Sequence, residues 1–391
     1  MENENEIDRL SDLRDDLLFC NILSRLSLKE AIRTSVLAHR WKSLWTNVPC
    51  IDFSQSFFDS IVTLLPRTAD RKGSVKYIEN VMNNILLSHS APLESLGFHF
   101  SIHHDRYSSF AEKVLRGVRV EQCVKRAAQK GVKRVALRCK SEEILPPSLF
   151  ACELLRVLEV EGFRFKEIPD GFGGFLFLKS CSLWEVGSLT DEGLQRLIEL
   201  CPLIEKLVIK RCANLLNLEI CAPNLNYLNL GTTSIESFTA DCPQLVELKV
   251  KDCFMLCKFE LNSCPFLQEM DNPDDPVVEE FSSVKSLRKL SLTISLDTPF
   301  GILLGRFQDL EELRVTDILI QDMIQGQVAS DLAFPNLKKA YVHVSSEMWG
   351  EQEAAMLDFL LSNAPKLNSM ILCSTPIGTT LFTDPTFMSQ F

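Results

Sequence analysis

The sequence lacks the long hydrophobic runs and the leader that direct a chain to a membrane or out of the cell. No apolar stretch approaches the roughly 18 residues that a transmembrane helix requires. Residues 1–6 are polar and acidic, unlike the basic and then apolar start of a secretory signal. We therefore expect no membrane partner and an intracellular location, in the nucleus, the cytoplasm or both.

Basic residues are in deficit, and motifs for catalysis or metal binding are missing. The 41 Lys and Arg against 52 Asp and Glu give a net charge of -11, which disfavours binding to phosphate backbones, so we expect no nucleic-acid partner. The sequence has no Walker loop, Rossmann glycine pattern, nucleophile elbow or zinc-protease motif, so we expect no catalytic residue and no cofactor. The 14 cysteines include no Cys-x-x-Cys pair. Cys253, Cys257 and Cys264 are therefore not predicted to bind a metal, and the cysteines are expected to be reduced and structural.

What the sequence does have is a leucine repeat. Twelve copies of Leu-x-x-Leu-x-Leu, some imperfect, run from Leu93 to Leu372, and the copies that start at Ile204 and Leu245 end in Cys212 and Cys253. Leucine-rich repeats favour Asn or Cys at that position. The first positions of the copies, which we call frame residues, are Leu93, Arg134, Leu155, Leu178, Ile204, Leu225, Leu245, Leu267, Leu287, Leu310, Leu337 and Leu367.

Most frames are 20 to 23 residues apart, which is the length of one short strand and one return segment per coil. Longer repeats have room for helices: Thr190 is a plausible cap for one, and residues 351–362, 75–87 and 119–130 also have helical patterns. The stretch from Pro66 to Ser74 is predicted to be a linker or loop. The fold class we expect is an α/β solenoid, a leucine-rich-repeat horseshoe with irregular repeats of about 20–30 residues.

The first fifty residues carry a different pattern, three short helices. Leu18, Ile22 and Leu26 recur every four residues, which places an apolar stripe along one helix face. Ser27 and Glu30 form a capping box for the second helix. In the third helix, Trp41 and Trp45 are four residues apart and are expected on one side. A module of about fifty residues cannot bury all of this apolar surface by itself. The surface must therefore contact the solenoid or a second protein.

This block resembles a plant-type F-box in Asp8-Arg9-Leu10, Ser35-Val36-Leu37, Arg40-Trp41, Ser43-Leu44-Trp45 and Val48-Pro49. The resemblance implies binding to the Skp-type adaptor of a cullin-RING ubiquitin ligase. It also implies a set of residues that face the adaptor: Leu13, Leu17, Ile22, Leu23, Leu26, Val36, Leu37 and Trp41.

Two features depart from that family's pattern. Arg14 replaces the usual proline, and the segment from Leu17 to Leu23 is one residue longer than usual. An extra residue rotates later side chains by roughly 100° unless a bulge or a shifted helix start absorbs it. We therefore expect weaker docking than in a consensus F-box.

The later sequence, including Leu93-Glu94-Ser95-Leu96 and Cys201-Pro202-Leu203, resembles the plant F-box/LRR group, and Leu360 to Leu367 resembles the start of its FBD tail. We assign residues 7–53 to the F-box, 54–92 to a helical linker or solenoid cap, and 93–391 to leucine-rich repeats with an FBD-like segment from about 335.

Strand residues between the inward leucines should face the concave side of the solenoid, where a target protein would bind. The predicted substrate-binding residues are Trp184, Lys206, Lys210, Tyr227, Lys249, Lys251, Lys289, Arg314 and Tyr341. The lysines form a candidate cationic stripe for an acidic or phosphorylated segment, and the aromatics are candidate anchors. The competing interpretation is that these charges only keep a strand face soluble, with Glu247, Glu269 and Asp271 partly neutralising the lysines.

Two functions follow from these patterns. The first is the substrate-recognition subunit of an SCF-type ubiquitin ligase, which binds the Skp-type adaptor and an unidentified target protein without catalysing a reaction itself. The alternative is a binding or scaffold protein outside the ligase, in which a degenerate F-box only caps the solenoid.

Overall fold

A computed structural model describes residues 13–65, 70–100, 109–139, 143–231, 234–250, 258–261, 264, 267–272, 278–280, 287–292, 308–316, 320, 333–344, 351–374 and 379–382. The chain divides into two compact units, Met1–Ser188 and Leu189–Phe391. The first unit contains the N-terminal module, our name for residues 7–53, and the second contains most of the leucine repeats. Among the described residues, no helix has the length and apolar character needed to cross a membrane.

Short helical segments make up the N-terminal module. They are α1 (Asp15–Leu17), a π-helix (Leu18–Ile22), a 3-10 helix (Leu23–Arg25), α2 (Leu28–Arg33) and further 3-10 helices at Thr34–Val36, His39–Lys42 and Leu44–Asn47. The predicted third helix is thus two 3-10 helices separated at Ser43. Trp41 nevertheless lies in the module's core and Trp45 packs against it, as their spacing predicted.

A parallel five-stranded sheet follows in the first unit, in the order β1 to β5. Its strands are β1 (Cys50–Phe53), β2 (Ser95–Phe100), β3 (Arg134–Cys139), β4 (Val157–Glu161) and β5 (Ser180–Trp184), and its helices are α3 (Gln55–Leu64), α4 (Arg71–Ser88), α5 (Ser109–Leu115) and α6 (Glu121–Gln129).

The end of the N-terminal module is itself the first strand of this sheet, which the leucine pattern did not predict. The carbonyl of Pro49 accepts hydrogen bonds from the backbone N–H groups of Glu94 (2.8 Å) and Ser95 (3.2 Å). The carbonyl of Glu94 accepts from Lys133 and Arg134 in the same way. The module is therefore continuous with the repeats of the first unit through backbone hydrogen bonds.

The second unit contains two parallel sheets. The larger one has the order β6, β8, β10, β12, β14, β15, β16, β17 and β18, with only the last pair antiparallel, and the smaller one has the order β13, β11, β9 and β7. The strands are β6 (Lys206–Lys210), β7 (Asn217–Cys221), β8 (Tyr227–Gly231), β9 (Ser237–Asp241), β10 (Glu247–Val250), β11 (Lys258–Leu261), β12 (Glu269–Asn272), β13 (Val278–Glu280), β14 (Lys289–Leu292), β15 (Glu312–Thr316), β16 (Lys339–Val344), β17 (Ser369–Ser374) and β18 (Thr379–Phe382); the helices are α7 (Asp191–Glu199) and α8 (Glu351–Asn363).

The smaller sheet corrects the prediction for the return segments, for which only helices or irregular chain were expected. In four successive central repeats the return segment is a strand. Phe238 of β9 pairs with Leu218 of β7 on one side and with Phe259 of β11 on the other. Both Leu218 and Phe238 are buried. Return segments of this length are too short for a stable helix, and parallel pairing satisfies their backbone groups instead.

Most coils enter their strand through the same turn. In eleven of the twelve frames the strand begins two residues after the predicted frame residue. In eight of them the N–H of the frame residue donates to the carbonyl three residues earlier, as from Leu155 to Cys152 (3.2 Å) and from Leu245 to Cys242 (3.0 Å), whereas the N–H of Leu93 donates to the Lys130 carbonyl. The prediction at Arg134 was wrong by two residues, because the strand begins there and the fully buried Val132 occupies the leucine position.

The predicted helices are confirmed over 75–87, 119–130 and 351–362, where α4, α6 and α8 lie. Thr190 caps α7, because its hydroxyl accepts a hydrogen bond from the Gly193 N–H at 3.2 Å. The predicted loop from Pro66 to Ser74 ends too late, since α4 begins at Arg71 with Asp70 as its cap. The helix α3 lies in the segment 54–92 that was assigned to a helical linker or cap, although its bounds were not predicted, and α5 was not predicted.

Candidate partner-binding surfaces

The extra residue in the N-terminal module is absorbed by the π-helix. In a π-helix the hydrogen bonds run from residue i to i+5, so one additional residue fits into a turn without rotating the next segment. Leu18 and Leu23 stand five residues apart, at the two sides of this turn, and both are 0% exposed in the same core cluster. The insertion therefore leaves the apolar residues on the core side.

The second half of the module is fixed by polar contacts. The Ser27 hydroxyl and the Glu30 carboxylate form the predicted capping box. The hydrogen bonds from Ser27 lower the pKa of the Glu30 carboxyl. The Arg40 guanidinium reaches back to the Asp15 carboxylate and to the Leu13 carbonyl. These bonds connect the start of the module to the segment that carries Trp41.

The predicted adaptor-facing residues divide into two groups by exposure. Leu23 and Trp41 are buried in the module's core at 0% and 4% exposure, and Leu13, Ile22 and Leu26 pack against that core. The exposed group is Leu17, Val36 and Leu37, whose side chains are 42%, 86% and 66% exposed.

Adaptor contact remains a prediction for all eight residues. In the free chain, however, Leu23 and Trp41 are buried in the core of the module, where an adaptor cannot contact them. Val36 and Leu37 are adjacent apolar side chains exposed to solvent, which is the arrangement found at partner-binding sites.

A buried histidine connects the module to the helices that follow it. The His89 imidazole Nε2 lies 2.7 Å from the Val48 carbonyl oxygen, and the Ser90 N–H donates to the Thr46 carbonyl at 2.9 Å. The Lys130 ammonium donates to the His89 carbonyl at 2.8 Å. Burial lowers the pKa of His89, and the positive charge of Lys130 acts in the same direction against the opposing hydrogen bond to Val48. His89 is therefore neutral at physiological pH.

The second candidate surface is the open face of the larger sheet in the second unit, formed by the strand residues that alternate with the buried leucines. At its centre lies Tyr227 on β8. The Lys206 ammonium of β6 is 4.7 Å from the centroid of the Tyr227 ring, and the Lys249 ammonium of β10 is 5.4 Å from it. Lys249 also forms an ion pair with Glu247 at 2.5 Å, and this bond raises the pKa of Lys249. The sequence prediction that these three residues share a face is consistent with this geometry.

A similar arrangement recurs further along the same sheet. The Arg314 guanidinium of β15 lies 4.4 Å from the centroid of the Tyr341 ring of β16. Glu312 accepts hydrogen bonds from the same guanidinium at 2.9 and 3.1 Å. In both places a tyrosine ring is covered by a cation that a glutamate from the cation's own strand holds in position.

The predicted cationic stripe is not continuous. In the strand register, Lys249 pairs with Asp271, and Glu269 pairs with Lys289, so the acidic strand β12 stands between these two lysines. The register thus places between the lysines the acidic residues Glu269 and Asp271, which the competing interpretation expected to neutralise them in part. Target binding by these lysines stays a prediction. Lys210 lies on β6 and pairs in register with Gly231. Lys251 lies outside the described residues.

The predicted aromatic anchor Trp184 belongs to the first unit. It ends β5, pairs in register with Glu161 of β4 and is 43% exposed. It thus points away from the core of its own unit, as its frame predicted. The two anchors that share the second unit's sheet are Tyr227 and Tyr341.

Sequence reasoning placed Asn229 on the open face beside Tyr227 but did not include it among the predicted binding residues. Its side chain is only 8% exposed although it lies between the inward residues Leu228 and Leu230. Its Nδ2 donates to the Tyr227 hydroxyl oxygen at 3.1 Å. Alternation places Asn229 on this face, but nothing in the sequence indicates that it is buried there.

The described cysteines fit a structural role. None of them forms a disulfide, and most are buried. Cys152, Cys201 and Cys242 occupy the buried position three residues before a frame residue, and burial raises the pKa of each thiol to about 12. Over the residues that the structure covers, no group of three or more His, Cys, Asp or Glu side chains could hold a metal ion.

Two family models match this chain. The F-box domain model matches residues 10–52. A model described as FBD-associated F-box protein At5g56370, LRR repeats, matches residues 120–268. The first match covers the N-terminal module, and the second covers the repeats from α6 to the start of β12.

Known proteins are similar over most of this chain. F-box/FBD/LRR-repeat protein At5g56420 of Arabidopsis thaliana is 30% identical over 322 residues, which cover 78% of this chain and 70% of that protein. F-box/LRR-repeat protein At3g26922 of the same organism is 28% identical over 305 residues, 74% of this chain and 90% of that protein. Among solved structures, an internalin from Listeria monocytogenes aligns with 66% of this chain and 83% of its own at 11% identity, with a TM-score of 0.29. That score is too low to support an argument.

Proposed function

Since the chain belongs to the F-box/FBD/LRR-repeat family, we propose that it is the substrate-recognition subunit of an SCF-type cullin-RING ubiquitin ligase. The N-terminal module binds the Skp-type adaptor, and the open face of the repeats binds a target protein. The same proposal places the chain in the nucleus, the cytoplasm or both, where such ligases act.

The observation that carries this proposal is the pair Val36 and Leu37. Both side chains are largely exposed, at 86% and 66%, where the 3-10 helix Thr34–Val36 ends, in a module whose remaining large residues are mostly buried or half-buried. Exposed apolar residues are common singly, but two neighbours on a small module that also matches the F-box model favour a binding role. Burial of both in an interface would contribute about 1.5–3 kcal/mol per side chain.

The chain acts in this proposal by proximity and makes or breaks no covalent bond. A target held on the open face is kept at a high effective concentration near the ubiquitin carried by other subunits of the ligase. Adaptor binding and target binding therefore depend on different residues. A variant of one surface should leave binding at the other unchanged.

Capture by the Skp-type adaptor tests the proposal. We expect immobilised adaptor to retain the natural chain and to lose the double variant Val36→Ser/Leu37→Ser. The matched control is Leu64→Ser/Leu87→Ser, which removes two leucines that are 69% and 57% exposed on α3 and α4. Retention of the control together with loss of the first variant supports the proposal. Equal retention of both variants would mean that Val36 and Leu37 are not the docking surface.

The second candidate function is a scaffold outside the ligase, with the module as a cap for the repeats. The contacts that favour it are those of Pro49 and His89, which join the module to the sheet and helices of the first unit. The two functions differ in one outcome. A scaffold whose module is only a cap would fail to bind the adaptor even as the natural chain.

A further inference from the structure

Asn229 carries an unused hydrogen-bonding group on the open face of the second unit. Its Oδ1 is buried and accepts no hydrogen bond from the described residues, while its Nδ2 donates to Tyr227. A buried polar atom without a hydrogen-bond partner destabilises the folded chain. Rotating the amide by 180° would leave a donor unpartnered instead. A peptide group contains both a donor and an acceptor, so it can satisfy Asn229 in either orientation.

Two ammonium groups stand beside this amide. Lys206 and Lys249 come from the two strands that flank β8, and both lie over the Tyr227 ring whose hydroxyl is bonded to Asn229. The ring attracts both cations, which restrains two otherwise flexible side chains. Glu247 restrains Lys249 further through its ion pair. The cluster thus presents positive charge near the Asn229 amide.

We propose that Lys206, Tyr227, Asn229 and Lys249, which we call the Tyr227 cluster, bind an extended peptide segment of the target that carries an anionic side chain. The peptide group hydrogen-bonds to Asn229, and the carboxylate or phosphate is held by Lys206 and Lys249. This inference rests on the proposed function, in which the open face holds the target, and it specifies the target's chemistry.

The charge of the whole chain makes such binding selective. The net charge of -11 repels acidic peptides from the protein as a whole. Attraction at the Tyr227 cluster is therefore local, and it must depend on the two lysines and on the amide. Charge-assisted hydrogen bonds from ammonium groups to an anion are about twice as strong as neutral ones.

Fluorescence anisotropy with the full chain tests the proposal. The probes are three fluorescein-labelled peptide pools of equal length, in which fixed positions hold Glu and Asp, phosphoserine, or the neutral Gln and Asn. We expect at least one anionic pool to bind and the neutral pool to bind much more weakly. The difference between the first two pools identifies a carboxylate or a phosphate as the anion. Failure of both anionic pools to bind, or equal binding of the neutral pool, overturns the proposal.

Two double variants test whether the peptides bind at the Tyr227 cluster. Lys206→Gln/Lys249→Gln should weaken binding of the anionic peptides by about tenfold or more. Lys338→Gln/Lys366→Gln is the matched control, because it removes the same charge from exposed lysines in the turns before β16 and β17. An equal loss in this control would show a general charge effect and overturn the site.

Asn229→Leu tests the amide separately. Leu has a similar volume and removes the unpartnered group, so the variant should fold while its peptide affinity falls. Unchanged affinity would overturn the role of Asn229. Adaptor capture is measured on the same samples. If the natural chain binds no anionic pool but is captured by the adaptor, only this inference is refuted. If the natural chain binds an anionic pool but is not captured by the adaptor, only the proposed ligase role is refuted.

Discussion

Replacing Leu23 with Ala separates two roles of the N-terminal module, its internal packing and its adaptor surface. Leu23 is 0% exposed and packs in one cluster with Leu18 and Trp41. Truncating a fully buried leucine to alanine costs about 2–5 kcal/mol, because the apolar contacts are lost and a cavity remains. A module of this size has little stability to spare, so we expect the loss to appear as local unfolding of residues 13–48.

Hydrogen exchange measured by mass spectrometry gives the magnitude directly. Since about 1.4 kcal/mol corresponds to a factor of ten, amide exchange within residues 13–48 should accelerate roughly 30-fold to several-thousand-fold in Leu23→Ala. Exchange in β8 and β10 of the second unit should not change. The control is Val36→Ala, which truncates an 86% exposed side chain and should alter the free energy of unfolding by less than about 0.5 kcal/mol.

Unchanged protection in Leu23→Ala would refute the assignment of Leu23 to the core. If that variant also lost adaptor capture, Leu23 would be a contact residue as the family resemblance implies. If Val36→Ala weakened protection from hydrogen exchange as much as Leu23→Ala, the exposed fraction of a side chain would not separate surface residues from core residues in this module.

Three further predictions follow from the local chemistry. The pKa of His89 in the folded chain lies below its usual value near 6.5, so the stability contributed by neutral His89 is complete above that pH. It declines as the pH falls below 6.5, by at most about 1.4 kcal/mol per pH unit. Urea unfolding of the natural chain and of His89→Gln across this range checks the prediction, and identical pH profiles would contradict it. Ser27→Ala removes the capping box and should cost the module about 0.5–2 kcal/mol, which exchange in α2 measures, with no change as the contrary result. Iodoacetamide should label the exposed Cys221 well before the buried Cys242, whose thiol has a pKa of about 12, and mass spectrometry showing the reverse order would refute the burial of Cys242.

The leucine spacing was enough to predict most of the open-face sheets. A single coil can bury apolar surface only against the neighbouring coils, so each frame residue is buried between them. The strand begins at a fixed distance from that residue, so the frame also predicts the start of the strand. The exception at Arg134 arose because Val132, and not a leucine, fills the buried position. β1 was missed for a related reason, since Val48 fills that position inside a segment with a helical pattern.

The π-helix and the return strands show the limits of local patterns. The extra residue before Leu23 was visible in the sequence, but whether a bulge or a shifted start absorbed it depended on which arrangement buried both Leu18 and Leu23. The return strands β7 and β9 are short, and their pairing energy comes from neighbouring coils rather than from their own residues. Pattern alone could not choose between strand and irregular chain there.

The candidate binding face was predicted in outline and corrected in detail. Alternation placed Lys206, Tyr227 and Lys249 on one side, and the structure brings their side chains into contact. Alternation also placed Asp271 on this side, and the strand register adds that Asp271 lies directly beside Lys249. The burial of Asn229 required the packing of side chains around it, which no one-dimensional pattern contains.

Light scattering on a purified mixture of this chain and the Skp-type adaptor tests the central claim most directly, because it measures the mass of the assembly without relying on any variant. The account predicts a complex whose mass is the sum of one 44.3 kDa chain and one adaptor. Two separate species at the highest soluble concentration of both proteins would contradict it.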